Sequence, residues 1–164
     1  MTNFAKSIIA GSCGSVTHLC FMWFKSWSGI LPSFQPYNDL QHTLSVLVGS
    51  PIHPAVPWAL SFLNGAVVLG FLFGRTFSFI PGRSGFTKGV VFGLAAWVMM
   101  GLAFFPMLGR GIFAVKLGLG IAPAVLCLTM LLTYSVIMGL VYSSLNGQSS
   151  WSAMRKKGTP MLAS

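Results

Sequence analysis

At 164 residues the chain is long enough for one soluble domain or for a small bundle of membrane helices. Hydrophobic residues make up 54% of it and charged residues only 7%, against about 25% charged in an ordinary soluble domain, so a water-covered globule is excluded and lipid has to cover the surface. The formal charge of +9 would suit a nucleic-acid binder, but the ten Lys and Arg sit in the gaps between apolar runs rather than on one polar face. That is how a membrane protein places its topology signals, and no nucleic-acid partner is expected.

The first apolar run, residues 5–24, is long enough to cross a bilayer core. A cleaved signal peptide is the competing reading, with Lys6 as its basic start. No small-x-small site follows Phe24, and the run has a counterpart later in the chain, so a retained span is expected. Ser7, Gly11, Gly14, Ser15 and His18 share one face of it. The long connection that follows carries Trp23 and Trp27, suited to an interfacial belt, and then Pro32 and Pro36. Asn38 and Gln41 stand at capping-box spacing, Leu40, Leu44, Leu47 and Val48 recur at helical spacing, and Gly49 closes the segment. This pattern predicts a short amphipathic surface helix over residues 38–49.

Residues 56–74 form the second span, with Ser61 and Gly65 as one small patch, Gly70 and Gly74 as another, and Asn64 as the one amide inside a span. A basic turn with Pro81-Gly82 leads into the third, residues 85–108. Gly85, Gly89, Gly93 and Gly101 recur there at four-residue spacing, with Trp97 in the remaining place. Such a stripe lets a neighbouring backbone come close. The fourth span is residues 121–145, with Thr129 and Thr133 stacked on one face, and a basic tail occupies residues 146–164. All three cysteines lie in apolar runs and read as small buried residues.

Phe4-Ala-Lys-Ser-Ile-Ile-Ala-Gly11 matches Phe86-Thr-Lys-Gly-Val-Val-Phe-Gly93, and Pro54-Ala-Val matches Pro123-Ala-Val. The offsets are 82 and 69 positions, and the 13-residue difference is close to the length of the surface helix. The fold expected is therefore an all-α membrane protein: residues 1–145 as one domain, four transmembrane helices arranged as two parallel-repeat hairpins, plus the surface helix. Charge puts Lys6, Arg75, Arg83, Lys88, Arg155, Lys156 and Lys157 on one side, and Lys25, Arg110, Lys116 and Asp39 on the other. The positive-inside rule then places both termini in the cytoplasm.

No Asp or Glu lies in any span, and the single acidic residue rules out paired-carboxylate hydrolysis. No phosphate loop, HExxH or CxxC pattern is present, and no enzyme is expected. His18 could be an axial ligand to haem or a pigment with Met100 as its repeat partner, or simply a neutral histidine bonded to a neighbouring helix. Asp39, His42 and His53 share the outer connection and could hold a metal, or could simply cap the bundle in water. Asn64 and Thr133, at equivalent repeat positions, read as interhelical glue.

The Asn38-Asp-Leu helix, the tryptophan opening the second span, and Gly89-Val-Val-Phe-Gly-Leu-Ala-Ala-Trp97 followed by Phe105-Pro-Met-Leu-Gly109 together resemble a bacterial family. These are small four-helix inner-membrane proteins known only as a domain of unknown function, and the resemblance covers roughly residues 6–142. It implies the four-span fold and a bacterial inner-membrane location, and no activity. Ser61 stands where that family often carries a histidine, so no ligand role passes to that position.

Negative chemistry and many small-residue faces (Gly11/Gly14, Gly65, Gly70/Gly74 and the Gly85–Gly101 stripe) lead to the expectation of a non-catalytic accessory or assembly subunit. It would pack in lipid against copies of itself or against other subunits of a larger, for instance respiratory, membrane complex, with the Gly70/Gly74 face as the contact and no cofactor. The rival is a haem-, quinone- or pigment-binding electron-transfer protein using His18, and third comes a carrier for a small neutral solute.

Overall fold

The apolar runs fold as helices, and the computed structural model describes residues 2–157, with side chains through Gly147. The helices are α1 (Asn3–Ser28), α2 (Pro36–Val48), α3 (Ala55–Thr76), α4 (Gly85–Met107) and α5 (Ala122–Lys157). A 3-10 segment, Ile112–Leu117, joins α4 to α5. α1, α3, α4 and the α5 segment Ala122–Gly147 are each long and apolar enough to cross a membrane.

Local chemistry explains most of the helix ends. Thr2 and Ser84 cap α1 and α4, each hydroxyl accepting at 3.2 Å from the backbone N–H three residues on, at Ala5 and Thr87. α2 begins at Pro36, earlier than the spacing of Asn38 and Gln41 suggests. Proline's fixed φ suits a first helical position, so the expected capping box does not form; Gln41 instead donates to the Ile52 carbonyl at 2.7 Å and pulls the end of the connection back onto α2. At the other end Gly49, in the left-handed region at φ 73°, closes the helix as its position suggests. α5 runs on through Lys157 instead of ending at Leu145. After Gly147 no proline intervenes until Pro160, and most of the residues tolerate a helix. The rest of the expected tail, 158–164, lies outside the described residues.

The four spans pack in the order α3, α1, α5, α4, with α1 and α5 at the centre. The small residues set these contacts. A Cβ on Gly11 would lie 2.6 Å from the Ala66 carbonyl oxygen, and one on Gly70 would lie 2.8 Å from that of Ser7. On the other side of the bundle a Cβ on Gly89 would lie 2.5 Å from the Ser135 carbonyl oxygen, and Gly85 abuts Gly139 and Ser143. Gly65 and Gly74 meet the hydroxyls of Ser15 and Ser7, while Gly14 lies against the Tyr134 ring.

Two expectations change here. Gly70 and Gly74 are covered by α1, so this face cannot be the contact for a partner: small faces pair with one another inside the chain. Gly101 belongs to the stripe by spacing but meets the Phe113 ring of the connecting segment, not a helix. There Phe113 and Ala114 take left-handed backbone angles, φ 50° and 61°, to turn the chain back under Trp97, whose indole lies tilted against the Phe113 ring, centroids 4.7 Å apart, and donates to the Ala124 carbonyl at 2.9 Å.

Two apolar clusters result. One gathers Ala10, Phe73, Phe92, Tyr134, Met138 and Tyr142, and the other Phe34, Phe105, Ala114 and Cys127. Cys13 and Cys20 are exposed, because they lie on the side of α1 away from its neighbours, and only Cys127 is buried as expected.

Candidate ligand cleft

α3 and α4, the outer helices of the row, touch at Phe73 and Phe92, with ring centroids 5.1 Å apart, and Lys88 of α4 reaches the Phe77 carbonyl and ring just past the end of α3. Away from that contact they part, and a cavity of about 800 Å³ opens between them. α1 and α5 form its floor, with Ser15, His18, Met22, Cys127, Met130 and Tyr134. Its walls are α3, from Leu60 to Leu72, and α4, from Phe92 to Met107, and Pro36, Tyr37 and Leu40 of α2 close its wide end. The volume falls within the roughly 300–1,000 Å³ of ordinary small-molecule sites.

Both walls depart from α-geometry at the cleft. Asn64–Leu69 in α3 and Met100–Phe104 in α4 are π-helical, and Asn64, Gly65, Leu69, Met100, Ala103 and Phe104 all line the cavity. A π-turn widens the helix by one residue per turn of hydrogen bonds and turns side chains out of their α-register, which is why such segments gather at functional sites.

α2 is held over the opening by three contacts. The Tyr37 hydroxyl donates to Ser61 Oγ at 2.9 Å, the Tyr37 and Trp58 rings lie 4.5 Å apart, and Arg110 pairs through two nitrogens with Asp39. Burial of Tyr37 pushes its phenol above the usual range, against the smaller opposing effect of the Ser61 hydrogen bond. Beside the cleft Lys25 is buried, donating to the Phe34 carbonyl with its ammonium 5.6 Å from that ring's centroid.

The lining is apolar with a few polar groups and no charge. Five of the nine methionines, Met22, Met99, Met100, Met107 and Met130, contribute to it, and their flexible, polarisable side chains can adapt to an irregular apolar guest. Of the polar groups, Tyr37 bonds Ser61, Ser15 donates to the Phe62 carbonyl at 3.4 Å, and Tyr134 donates to the Gly65 carbonyl at 2.7 Å. His18 and Asn64 remain. Among the described residues neither side chain has a hydrogen-bond partner; the imidazole only meets the Tyr134 ring edge-on, at 6.5 Å.

The structure thus brings His18 and Met100 to one cavity and separates the other candidates. The bonds expected from His18 and Asn64 to neighbouring helices are not made, because the helices part there; Thr133 donates to Thr129 in its own helix. Asp39, His42 and His53 do not converge: Asp39 is held by Arg110, His53 accepts from the Ala55 N–H at 3.2 Å, and His42 points to solvent. Among the described residues no group of three metal-ligating side chains exists. Neither Tyr37 nor Tyr134 is marked by a motif; Tyr134, deep in an apolar run, carries the visible signal of a hydroxyl that demands a partner, while Tyr37 stands in the polar stretch Gln35-Pro-Tyr-Asn-Asp39.

The helices and cleft together define a class: a four-helix protein whose spans could cross a membrane and part around an uncharged, methionine-rich cavity. Within that class the chain belongs to the family described as Family of unknown function (DUF6789), matched over residues 1–153. No curated protein and no solved structure matches it.

Proposed function

We propose that this is a non-catalytic multi-pass protein of a bacterial inner membrane, both termini cytoplasmic, that holds a neutral, apolar small molecule in the cleft between α3 and α4. One observation carries the reading: the two π-helical segments flank the same cavity, where two intramembrane polar side chains stand without partners. His18 is half-buried and Asn64 exposed along the cleft; where such groups face hydrocarbon without a partner they are costly, and a bound guest would relieve that cost. Haem, the ligand first suggested by His18 and Met100, fits less well, because its carboxylates would find no Lys or Arg in the lining. The orientation is supported by charge, with Lys6, Arg75, Arg83 and Lys88 at the end where the termini meet. An internal repeat is supported by the matched caps at Thr2 and Ser84 and by the contacts of Gly11 with Ala66 and Gly93 with Ser135, both at the 82- and 69-residue offsets.

The test is organic extraction of the purified protein followed by mass spectrometry, beside an Ala96→Phe variant that narrows the cavity at its wall. One neutral class should be enriched in the wild type and lost from the variant. Bulk phospholipid in equal proportion from both would refute the reading. An accessory or assembly subunit is the second reading, favoured by the exposed cleft rims, Leu60 and Leu63 on one side and Met99 and Leu102 on the other, where a partner's span could sit. Migration at monomer mass on a native gel after mild solubilisation would count against it. A carrier for a neutral solute would require the Phe73–Phe92 contact to part, since that contact closes the cleft at one end.

A further inference from the structure

We infer that His18 and Asn64 are the hydrogen-bonding seat of the cleft, and that the guest is a neutral lipid whose polar end is a carbonyl, a ring quinone with a hydrocarbon tail being the shape that fits. This rests on the cleft being a ligand site and says which chemistry it selects. Tyr37, Ser61, Ser15 and Tyr134 are already paired within the protein. Of the polar side chains lining the cavity, only His18 and Asn64 take part in no hydrogen bond among the described residues, while Ser61 accepts from Tyr37 and keeps its own O–H.

The two lie at nearly one depth. Gly65 touches Ser15; His18 lies one turn further along α1, and Asn64 one residue before Gly65 on the antiparallel α3, so their levels differ by roughly 3 Å at 1.5 Å per residue. Between them they offer three N–H donors, one from a neutral imidazole and two from the amide, against two acceptors, the other ring nitrogen and the amide oxygen, so donors are in excess. A single carbonyl oxygen has two lone pairs, enough for one bond from each residue. The seat lies about 10 Å further into the bundle than Lys25, measured along α1. A charged headgroup would have to leave the interface to reach it, and no lining side chain offers a counter-charge. A neutral carbonyl can go there. The methionine-lined remainder of the cleft, with Met99 and Met107 at its open side, takes the tail.

The test uses the full chain in nanodiscs, with decylubiquinone as probe and decylbenzene as its oxygen-free counterpart, each measured by partition between protein-loaded and empty discs. Wild type should retain decylubiquinone preferentially, and the quinone carbonyl stretch should move to lower frequency on binding. His18→Phe and Asn64→Leu should each lower decylubiquinone retention about five- to tenfold, the effect of one lost hydrogen bond, and leave decylbenzene retention unchanged. That unchanged retention also shows that each variant has kept its cleft. Equal retention of both probes by wild type, with no loss in the variants, overturns the seat while leaving the cleft a ligand site. Retention of neither probe overturns both.

Discussion

Gly11 is where the packing argument can be tested most sharply. A methyl added there would meet three backbone groups: the carbonyl oxygens of Ala66 and Gly65, at 2.6 and 2.9 Å, and the Gly70 Cα at 2.9 Å. None can rotate away. To reach an ordinary contact of 3.4 Å, α1 and α3 must part by about 0.8 Å. A gap of that size forfeits roughly a quarter to a half of each dispersion contact of 0.1–0.2 kcal/mol, and with a few tens of contacts along the interface the loss is about 2 kcal/mol. In lipid no hydrophobic gain between helices offsets it. Gly93→Ala should behave differently, because its methyl would lie 3.1 Å from the Ser135 Cβ and 3.2 Å from the Leu132 Cδ2 and the Leu131 carbonyl oxygen, so shifts of a few tenths of an ångström suffice. Its cost should stay below about 1 kcal/mol. Leu94→Ala, at a side chain 42% exposed to the surroundings, should cost least. Unfolding of the three variants in mixed micelles of rising dodecyl sulfate content, followed by circular dichroism, gives the ranking. Equal midpoints for Gly11→Ala and Gly93→Ala would show that the backbone distances do not govern packing.

Reporter fusions in the Arg83 turn and after Asn146 should give the same side of the membrane, and one in α2 near Asp39 the other; a C-terminal signal matching that of α2 would break the four-span arrangement. Asp39→Asn should lower the melting temperature only slightly, consistent with less than about 1 kcal/mol for a partly exposed pair, and the difference from wild type should shrink as salt rises; a salt-independent loss would mean that the pair is not what holds α2 to Arg110. For Tyr37 the folded phenol titrates above its unfolded value, so its contribution is complete below about pH 10 and is lost as pH rises through the folded value. Wild-type stability should therefore bend downward above about pH 10, and Tyr37→Phe should remove part of that bend while costing about 1 kcal/mol for the Ser61 bond; an unchanged bend would contradict the assignment.

The spans were legible because each is a long apolar run bounded by Lys, Arg, Gly or Pro, and hydrocarbon leaves a chain little choice but helix. Gly85, Gly89 and Gly93 were legible as close-approach positions for the same reason. Their partners were not. Four-residue spacing says that a face is small and does not say which neighbour covers it, so Gly70 and Gly74 look free in sequence and turn out to be covered by Ser7 and Gly11 of α1. His18 stood out as the one histidine inside a span, and Met100 followed from the repeat. The cleft did not stand out, because it depends on where α3 and α4 part, and the π-segments at Asn64 and Met100 that lie in its walls leave no mark in the sequence. No residue type marks a π-turn as proline marks a kink, and Asn64 read alone looks like interhelical glue.

Those π-segments lie in both walls of the cavity that this small-residue-rich chain leaves open. Gly, Ser and Ala along α1 and α5 draw the central pair and its neighbours together at the end where the termini meet, and Phe73 and Phe92 seal that end. Continued in register, the same packing would carry α3 and α4 along the floor to the α2 side. The extra residue taken up in each wall at Asn64–Leu69 and Met100–Phe104 shifts that register midway. Beyond it the walls present Ser61, Leu60, Ala103 and Met107 to an open space instead of to each other. α2 then has to cover the gap, and the chain's single acidic residue, Asp39, is spent on tying it down to Arg110. An uncharged guest entering from the lipid, as proposed above, would meet a closed end, a widened middle and a fastened cover, in that order along the helices.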